Sequence, residues 1–363
     1  MDPEEIKFLN AWNAVPGVGA ATLRALKHRF GSFEKAWRAG ESAYASARLD
    51  PQAHTAIRER KKSVDPDRQM QNLARGNIWI VTDEDGEYPA ALKEIHSPPV
   101  ALYGRGDKAA LLHPHPVAIV GTRRPTAYGR EACAAIAGDL ADAGVAIISG
   151  LAMGIDARAH ETTLEHRGIT VAVLGSGADQ DSIFPPENRG LAERIVSSNG
   201  AVISEYAPAT PAVKEHFPMR NRIIAGLARA TVVVEAREKS GALITARLAL
   251  EQNREVCAVP GSIFSHTSAG PHALIREGAR AVCSARDIME ELGMDAARAI
   301  RTGAPPSTNA DEAALLAILG EPAGLDEIRT KTGLPSSDIL ASLSLMELRG
   351  LVRNLGGGAF QKT

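Results

Sequence analysis

Within nine residues the chain reads Lys214-Glu215-His216-Phe217-Pro218-Met219-Arg220-Asn221-Arg222. Lys214, Arg220 and Arg222 can hold phosphate oxygens, Asn221 can read a base edge, and Phe217 offers a face for base stacking, worth about 1–3 kcal/mol. The same run also fits a solvated cationic face over a core phenylalanine, since aromatic side chains are usually buried. A second group, Gly121-Thr122-Arg123-Arg124, stands just before a helical pattern. Backbone N–H groups at a helix N-terminus beside a guanidinium form an anion site, and Gly121 lets the backbone approach closely. Surface ion pairs are the plainer use of Arg123 and Arg124. Two further turns repeat the theme: Ser149 and Gly150 in one, and Ser240, Gly241 and Thr245 in the other, are candidate anion contacts. Asp156 suits a helix cap. His160 follows it by four residues, but no third ligand accompanies the pair, so no metal is expected. Without a G-x-G-x-x-G run, NAD and FAD are disfavoured, and no cofactor is expected.

Such residues act together only if a scaffold gathers them. From Ile78-Trp79-Ile80-Val81 to about Leu292, apolar runs alternate with helical patterns, which predicts a parallel sheet with crossover helices. The strand candidates are 117–120, 145–148, 170–174, 201–204, 231–234 and 255–259. Their Val and Ile content fits strands buried on both faces, hence a doubly wound α/β core with ligands at the carboxyl ends of its strands. The three glycine-bearing turns all fall at such ends. Ahead of the core, Phe8, Leu9 and Trp12, then Leu23, Leu26 and Phe30, recur at helical spacing around Val15-Pro16-Gly17-Val18-Gly19, which is similar to a helix-hairpin-helix turn. Beyond the core, a Pro- and Ser-rich stretch reads as a linker, and three helical patterns followed by a hairpin at Gly356-Gly357-Gly358 suggest a winged helix. The expected parts are a small helical domain (1–65), the core (66–298), a linker (299–311) and the winged helix (312–363).

The 363 residues carry 41 Lys and Arg against 43 Asp and Glu, which excludes a general basic coat. Residues 1–75 hold 13 cations against 9 acids, residues 76–300 hold 22 against 27, and residues 301–363 hold 6 against 7. An anion site in the core must therefore be local. The acidic balance of the last segment is poor for duplex DNA, so a partner-contacting or regulatory role is expected there. Cys133, Cys257 and Cys283 form no C-x-x-C pair and read as buried free thiols. With no long apolar run and no basic-then-apolar leader in MDPEEIKFLN, a cytoplasmic protein is expected.

Val120-Gly121-Thr122-Arg123, Ser149 through Asp156, Phe217-Pro218-Met219-Arg220-Asn221-Arg222 and Ser240 through Ala246, in that order, resemble the DNA-processing protein A (DprA/Smf) family of bacterial recombination mediators over nearly the whole chain. The resemblance implies an extended Rossmann-like core that binds single-stranded DNA, forms a homodimer and helps load the RecA recombinase during natural transformation, without covalent chemistry. It implies that Arg123 and Lys214 hold backbone phosphates, that Phe217 lies against a base, and that Arg220, Asn221 and Arg222 complete the pocket. The end segments look like that family's small helical (SAM-like) and winged-helix domains.

Two other functions fit the residues. The core also looks like nucleotide-binding relatives that hydrolyse nucleoside monophosphates, where Glu235 or Glu205 would serve as acid or base. This chain has Ser240-Gly241-Ala242-Leu243-Ile244-Thr245 where those relatives carry P-G-G-x-G-T-x-x-E. The third reading is an adaptor acting through its end domains.

Overall fold

The computed structural model describes residues 1–47, 49–294, 310–348, 351–356 and 358–362 and divides into two compact units, Met1–Ile300 and Arg301–Thr363. Of the expected linker, 299–309 lie outside the described residues, while Ala310 and Asp311 already belong to a helix.

The first unit opens with α1 (Pro3–Asn13), α2 (Ala20–Phe30), α3 (Phe33–Arg38), α4 (Pro51–Arg60) and α5 (Pro66–Arg75). Their starts are written locally. Asp2, Ser32, Asp50 and Asp65 each accept a first-turn N–H, and proline stands in the first turn of α1, α4 and α5, where its fixed φ costs no hydrogen bond. Phe8, Leu9, Trp12, Leu23, Leu26 and Phe33 pack into one cluster that also takes in Tyr103 of the sheet.

That sheet has nine strands: β1 (Trp79–Thr82), β2 (Ala101–Gly106), β3 (Pro116–Val120), β4 (Ala146–Ser149), β5 (Thr170–Leu174), β6 (Ala201–Ser204), β7 (Ala230–Val233), β8 (Glu255–Ala258) and β9 (Arg280–Ala281). They lie in the order β1-β2-β6-β5-β4-β3-β7-β8-β9. From β6 to β9 all pairs are parallel, whereas β1 and β2 run antiparallel at one edge. The expected parallel sheet is thus extended at that edge by two strands in antiparallel pairing. β2 escaped notice because two glycines dilute its pattern, and Gly104 is required because the Trp79 indole occupies the space of a Cβ.

Between the strands come the short α6 (Ala90–Lys93), then α7 (Ala127–Asp142), α8 (Ile155–Glu165), α9 (Arg189–Ser197), α10 (His216–Leu227), α11 (Gly241–Glu251), α12 (Ala269–Arg276) and α13 (Ala285–Glu291). Val117 and Ile119 pack with Ile136 and Leu140 on one face, while Ala118 and Val120 pack with Ile223, Ile224 and Leu243 on the other. Both faces are therefore covered, as the continuous apolar runs require. Cys133 and Cys257 are buried, but Cys283 is exposed, since it follows the last edge strand.

β3 lies between β4 and β7. Successive connections run outward from it in opposite directions, and this divergence opens a crevice at the carboxyl ends of β3 and β7.

The second unit holds α14 (Ala310–Ile318), α15 (Leu325–Thr332) and α16 (Ser336–Leu348). A small antiparallel sheet of β10 (Ala323–Gly324), β11 (Val352–Gly356) and β12 (Ala359–Lys362) completes it. Leu315, Ile328, Ile339, Leu343 and Phe360 form its core, which is a winged-helix arrangement. Among the described residues no helix is long and apolar enough to cross a membrane.

Candidate functional site

The crevice holds a cleft of about 820 Å³. Its rear wall is backbone packed on backbone. A Cβ on Gly121 would stand 2.6 Å from Ile155 Cγ1 and 3.0 Å from the Glu235 carbonyl, so only glycine fits. Thr122 donates its N–H to the Glu235 carbonyl (2.7 Å) and accepts from the Ile155 N–H (3.2 Å), which ties the turns after β3, β4 and β7 together.

Glu235 is the internal anchor of this wall. It is buried and accepts the Thr126 N–H (2.9 Å), the Thr126 hydroxyl (2.7 Å) and the Thr267 hydroxyl (2.8 Å). Thr126 in turn caps α7. The carboxylate thus fixes the loop carrying Arg123 and Arg124 and does not line the cleft, which corrects its reading as an acid or base.

Besides the buried Arg220, five cations line the cleft: Arg123, Arg124, Lys214, Arg237 and Lys239. All are exposed, and none pairs with a carboxylate among the described residues. The Arg123 guanidinium lies 5.9 Å from the centre of the Phe217 ring, close enough for the cation to be drawn to the ring face. Phe217 is half-buried and meets Phe184, 44% exposed, at 5.8 Å with the rings tilted by 50°. The two rings form an aromatic wall beside the cations, so Phe217 is no core residue.

Beneath them lies a polar floor. Arg220 is only 5% exposed. It donates to the carbonyls of Gly150 (2.8 Å) and Val173 and to Asn221 Oδ1 (3.3 Å). Burial pushes its guanidinium down to about 10, against the pull of Asp156. Burial in turn pushes the Asp156 carboxyl up, opposed by Arg220 and by backbone hydrogen bonds from Gly150 and Ala152. Asp156 holds the Gly150 N–H (3.1 Å) and does not cap α8, whose cap position is Gly154. A Cβ on Gly150 would stand 2.7 Å from both Arg220 Nη2 and Asp156 Oδ2.

Ser149 is fully buried and donates to the Ile119 carbonyl (2.6 Å). Ser149 and Gly150 therefore build the floor, and the expectation that they contact an anion directly is corrected. His160, also fully buried, bonds Thr170 Oγ1 at 2.6 Å, and burial lowers its pKa to about 3. It is a neutral structural histidine.

On the far rim Ser240 caps α11 by accepting the Ala242 N–H (3.3 Å), and Ser240, Gly241 and Thr245 all line the cleft. Asn221 donates to the Gly241 carbonyl (3.3 Å), which links this rim to α10.

Arg222 is the clearest departure. Along α10, residues 217, 220, 221 and 224 share the face toward the cleft, as i, i+3, i+4 and i+7 must. Arg222 falls on another face and pairs with Glu205 at 2.5 Å, both side chains being about nine-tenths buried. Burial pushes the Glu205 carboxyl up, against the effect of Arg222. The Glu205 carbonyl accepts from Asn13 Nδ2 of α1 (2.9 Å). Neither residue reaches the cleft.

Sequence reasoning passed over Arg237, Lys239 and Phe184. The first two stand between a strand end and a helix start, as Arg123 and Arg124 do, and that shared placement was the available signal. Phe184 sits in the loop after β5 between Ile183 and Pro185, with no periodic pattern to mark it.

The Pro16-Gly17 turn is used for packing. Gly17 has φ +97°, a Cβ there would stand 3.0 Å from Ala56 Cβ, and the Pro16 carbonyl accepts from Arg60 Nη1 (3.0 Å).

Residues 79–293 match the family described as DNA recombination-mediator protein A, and residues 299–358 match the DprA winged helix domain. Protein Smf of Synechocystis is 36% identical, with the whole of both chains covered. The DNA processing protein DprA of Bacillus subtilis is 46% identical over 57% of this chain and 68% of its own length. Among solved structures, DprA of Streptococcus pneumoniae superposes with a TM-score of 0.68 at 33% identity, covering 80% of this chain and 98% of that one. DprA of Helicobacter pylori, from a study of its single-stranded DNA binding mode, gives 0.53 at 30% identity over 59% of this chain and 95% of that one.

Proposed function

Because the chain belongs to the DNA recombination-mediator protein A (DprA/Smf) family, we propose that its cleft binds single-stranded DNA and that the protein presents the strand to the RecA recombinase. The observation that carries this reading is the set of five exposed cations, unpaired among the described residues, around the Phe217–Phe184 wall. Exposed cations without carboxylate partners attract a polyanion and release its counterions. An accessible aromatic face stacks bases of any sequence, but only bases freed from a duplex. The α11 N-terminus adds backbone donors on the far rim.

The role is that of a binding protein acting in the cytoplasm as a homodimer through its Rossmann-like core, and not of an enzyme. A nucleotide hydrolase needs a carboxylate aimed at its substrate. Glu235 and Glu205 are bonded away from the cleft, and Asp156, the carboxylate that does line it, is held against Gly150. Residues 66–298 carry the strand on this reading, with 1–65 as a supporting helical domain. The winged helix contacts a partner: α16 presents Asp338, Leu340, Leu345 and Glu347 to solvent, a poor surface for duplex phosphates.

The test is binding of a fluorescent oligonucleotide of about twenty nucleotides across a salt series, competed by duplex of the same sequence. Affinity that falls with salt and resists duplex competition is expected. Equal competition by duplex would overturn the assignment of the cleft to unpaired bases.

A further inference from the structure

One loop beyond the cleft, the segment between β8 and α12 exposes two large apolar side chains, Ile263 at 81% and Phe264 at 90%. A phenylalanine so exposed contributes almost nothing to the core. The loop that carries it is nonetheless firmly tied down. Ala236 donates its N–H to the Thr267 carbonyl (2.7 Å), Gly270 donates to the Ala236 carbonyl (2.8 Å), and Tyr128 donates its hydroxyl to the Pro260 carbonyl (2.6 Å). The Thr267 hydroxyl bonds Glu235.

Each anchor belongs to an element that also builds the cleft. Glu235 holds the Arg123–Arg124 loop, Ala236 directly precedes Arg237, and Tyr128, 48% exposed, stands four residues after Arg124. Phe264 is three residues from Thr267, at most about 11 Å of chain.

Strand order supplies the rest. Phe184 follows β5 and Phe217 follows β6, on one side of the switch point, while Phe264 follows β8 on the other. Between them lie the turns after β3 and β7, with Arg123, Arg124 and Arg237.

We propose that Phe264, on the loop that Tyr128 helps to anchor, is a second base-stacking platform for the same single strand. The strand then crosses the carboxyl edge of the sheet from the Phe217–Phe184 wall, over the cations, to the loop tip. This inference rests on the single-stranded DNA reading of the cleft. A nucleic acid suits the tip better than a protein because the turns between it and the aromatic wall carry Arg123, Arg124 and Arg237, which have no carboxylate partner among the described residues, and alternating charge and ring is how an unpaired strand is held.

The test compares oligothymidylates of six and twenty nucleotides on the full chain. Phe264→Ala is expected to weaken the twenty-mer about tenfold with its salt slope unchanged, since stacking releases no counterions. The six-mer, held by the nearer wall and cations, should change by less than about twofold, and Phe264→Trp should keep twenty-mer affinity. Twenty-mer binding indifferent to Phe264→Ala, or an equal loss at both lengths, overturns the proposal while leaving the cleft reading intact. So does a variant that loses self-association at unchanged DNA affinity, which assigns the tip to a second copy of the chain. If the native chain binds neither length, the cleft reading itself falls and takes the second platform with it.

Discussion

Arg24, Lys27, Arg60 and Lys61 in the N-terminal helices, and Arg123, Lys214, Arg237 and Lys239 around the cleft, are the same two residue types put to different uses. Arg24 pairs with Asp83 at 2.8 Å, Lys27 pairs with Glu84, and Arg60 holds the Pro16 carbonyl. Lys61 lies over the rings of Trp12, Trp37 and Tyr44 and bonds the Tyr44 hydroxyl, and burial lowers its pKa. The cleft cations are exposed and unpaired among the described residues. The N-terminal segment has the positive balance and the core the negative one, yet the cations gathered around a cleft belong to the core. What locates an anion site is charge left unneutralised by its neighbours, not the sum over a segment.

The largest expected effect lies at the cleft. Arg123→Ala combined with Lys214→Ala removes two charge-assisted contacts and should cost about 3–6 kcal/mol of single-strand affinity. The plot of log affinity against log salt should flatten by about 1.4. A retained slope would put the phosphates elsewhere.

Glu205→Ala tests the cation that turned inward. It leaves Arg222 buried without its partner and should lower unfolding free energy by about 3–5 kcal/mol in a denaturant titration. The folded fraction should keep the native salt slope. A slope steepened by about 0.7 would mean that the freed Arg222 reaches the strand.

Phe217→Ala should cost about 1–3 kcal/mol of affinity, measured by anisotropy, with the slope unchanged. No change at all would make the ring a packing element.

Arg60→Ala is expected to have the smallest effect, less than about twofold on strand affinity. A slope reduced by about 0.7 would make the Pro16-Gly17 turn a second phosphate site and erase the contrast between the two regions.

Much of this is legible in the residues alone. The runs at 117–120, 170–174 and 201–204 reappear as β3, β5 and β6 with at most one residue of difference, because a strand buried on both faces writes its length as a continuous apolar run. Gly121 was marked by its place between strand and helix, and the structure shows why no side chain fits there. Arg222 misled because a cation five residues after Phe217 and two after Arg220 looks equivalent on paper. The rotation of α10 is fixed by Ile223, Ile224 and Leu227 packing against the sheet, and that phase turns Arg222 to Glu205. The loop of Phe184 lacks any period, so nothing local distinguished that ring from a core one.

The elements, their caps and the strand-end position of the glycine-bearing turns are written in the local sequence, since periodicity, capping and glycine requirements act over a few residues. Only the tertiary structure decided which cations remain free. Arg24 meets Asp83 and Lys27 meets Glu84 across more than fifty residues of chain, and Glu235 reaches back to Thr126 across 109. Whether a charge is neutralised depends on what lies within a few ångströms of it, and the sheet order, which no short-range pattern encodes, sets those neighbours.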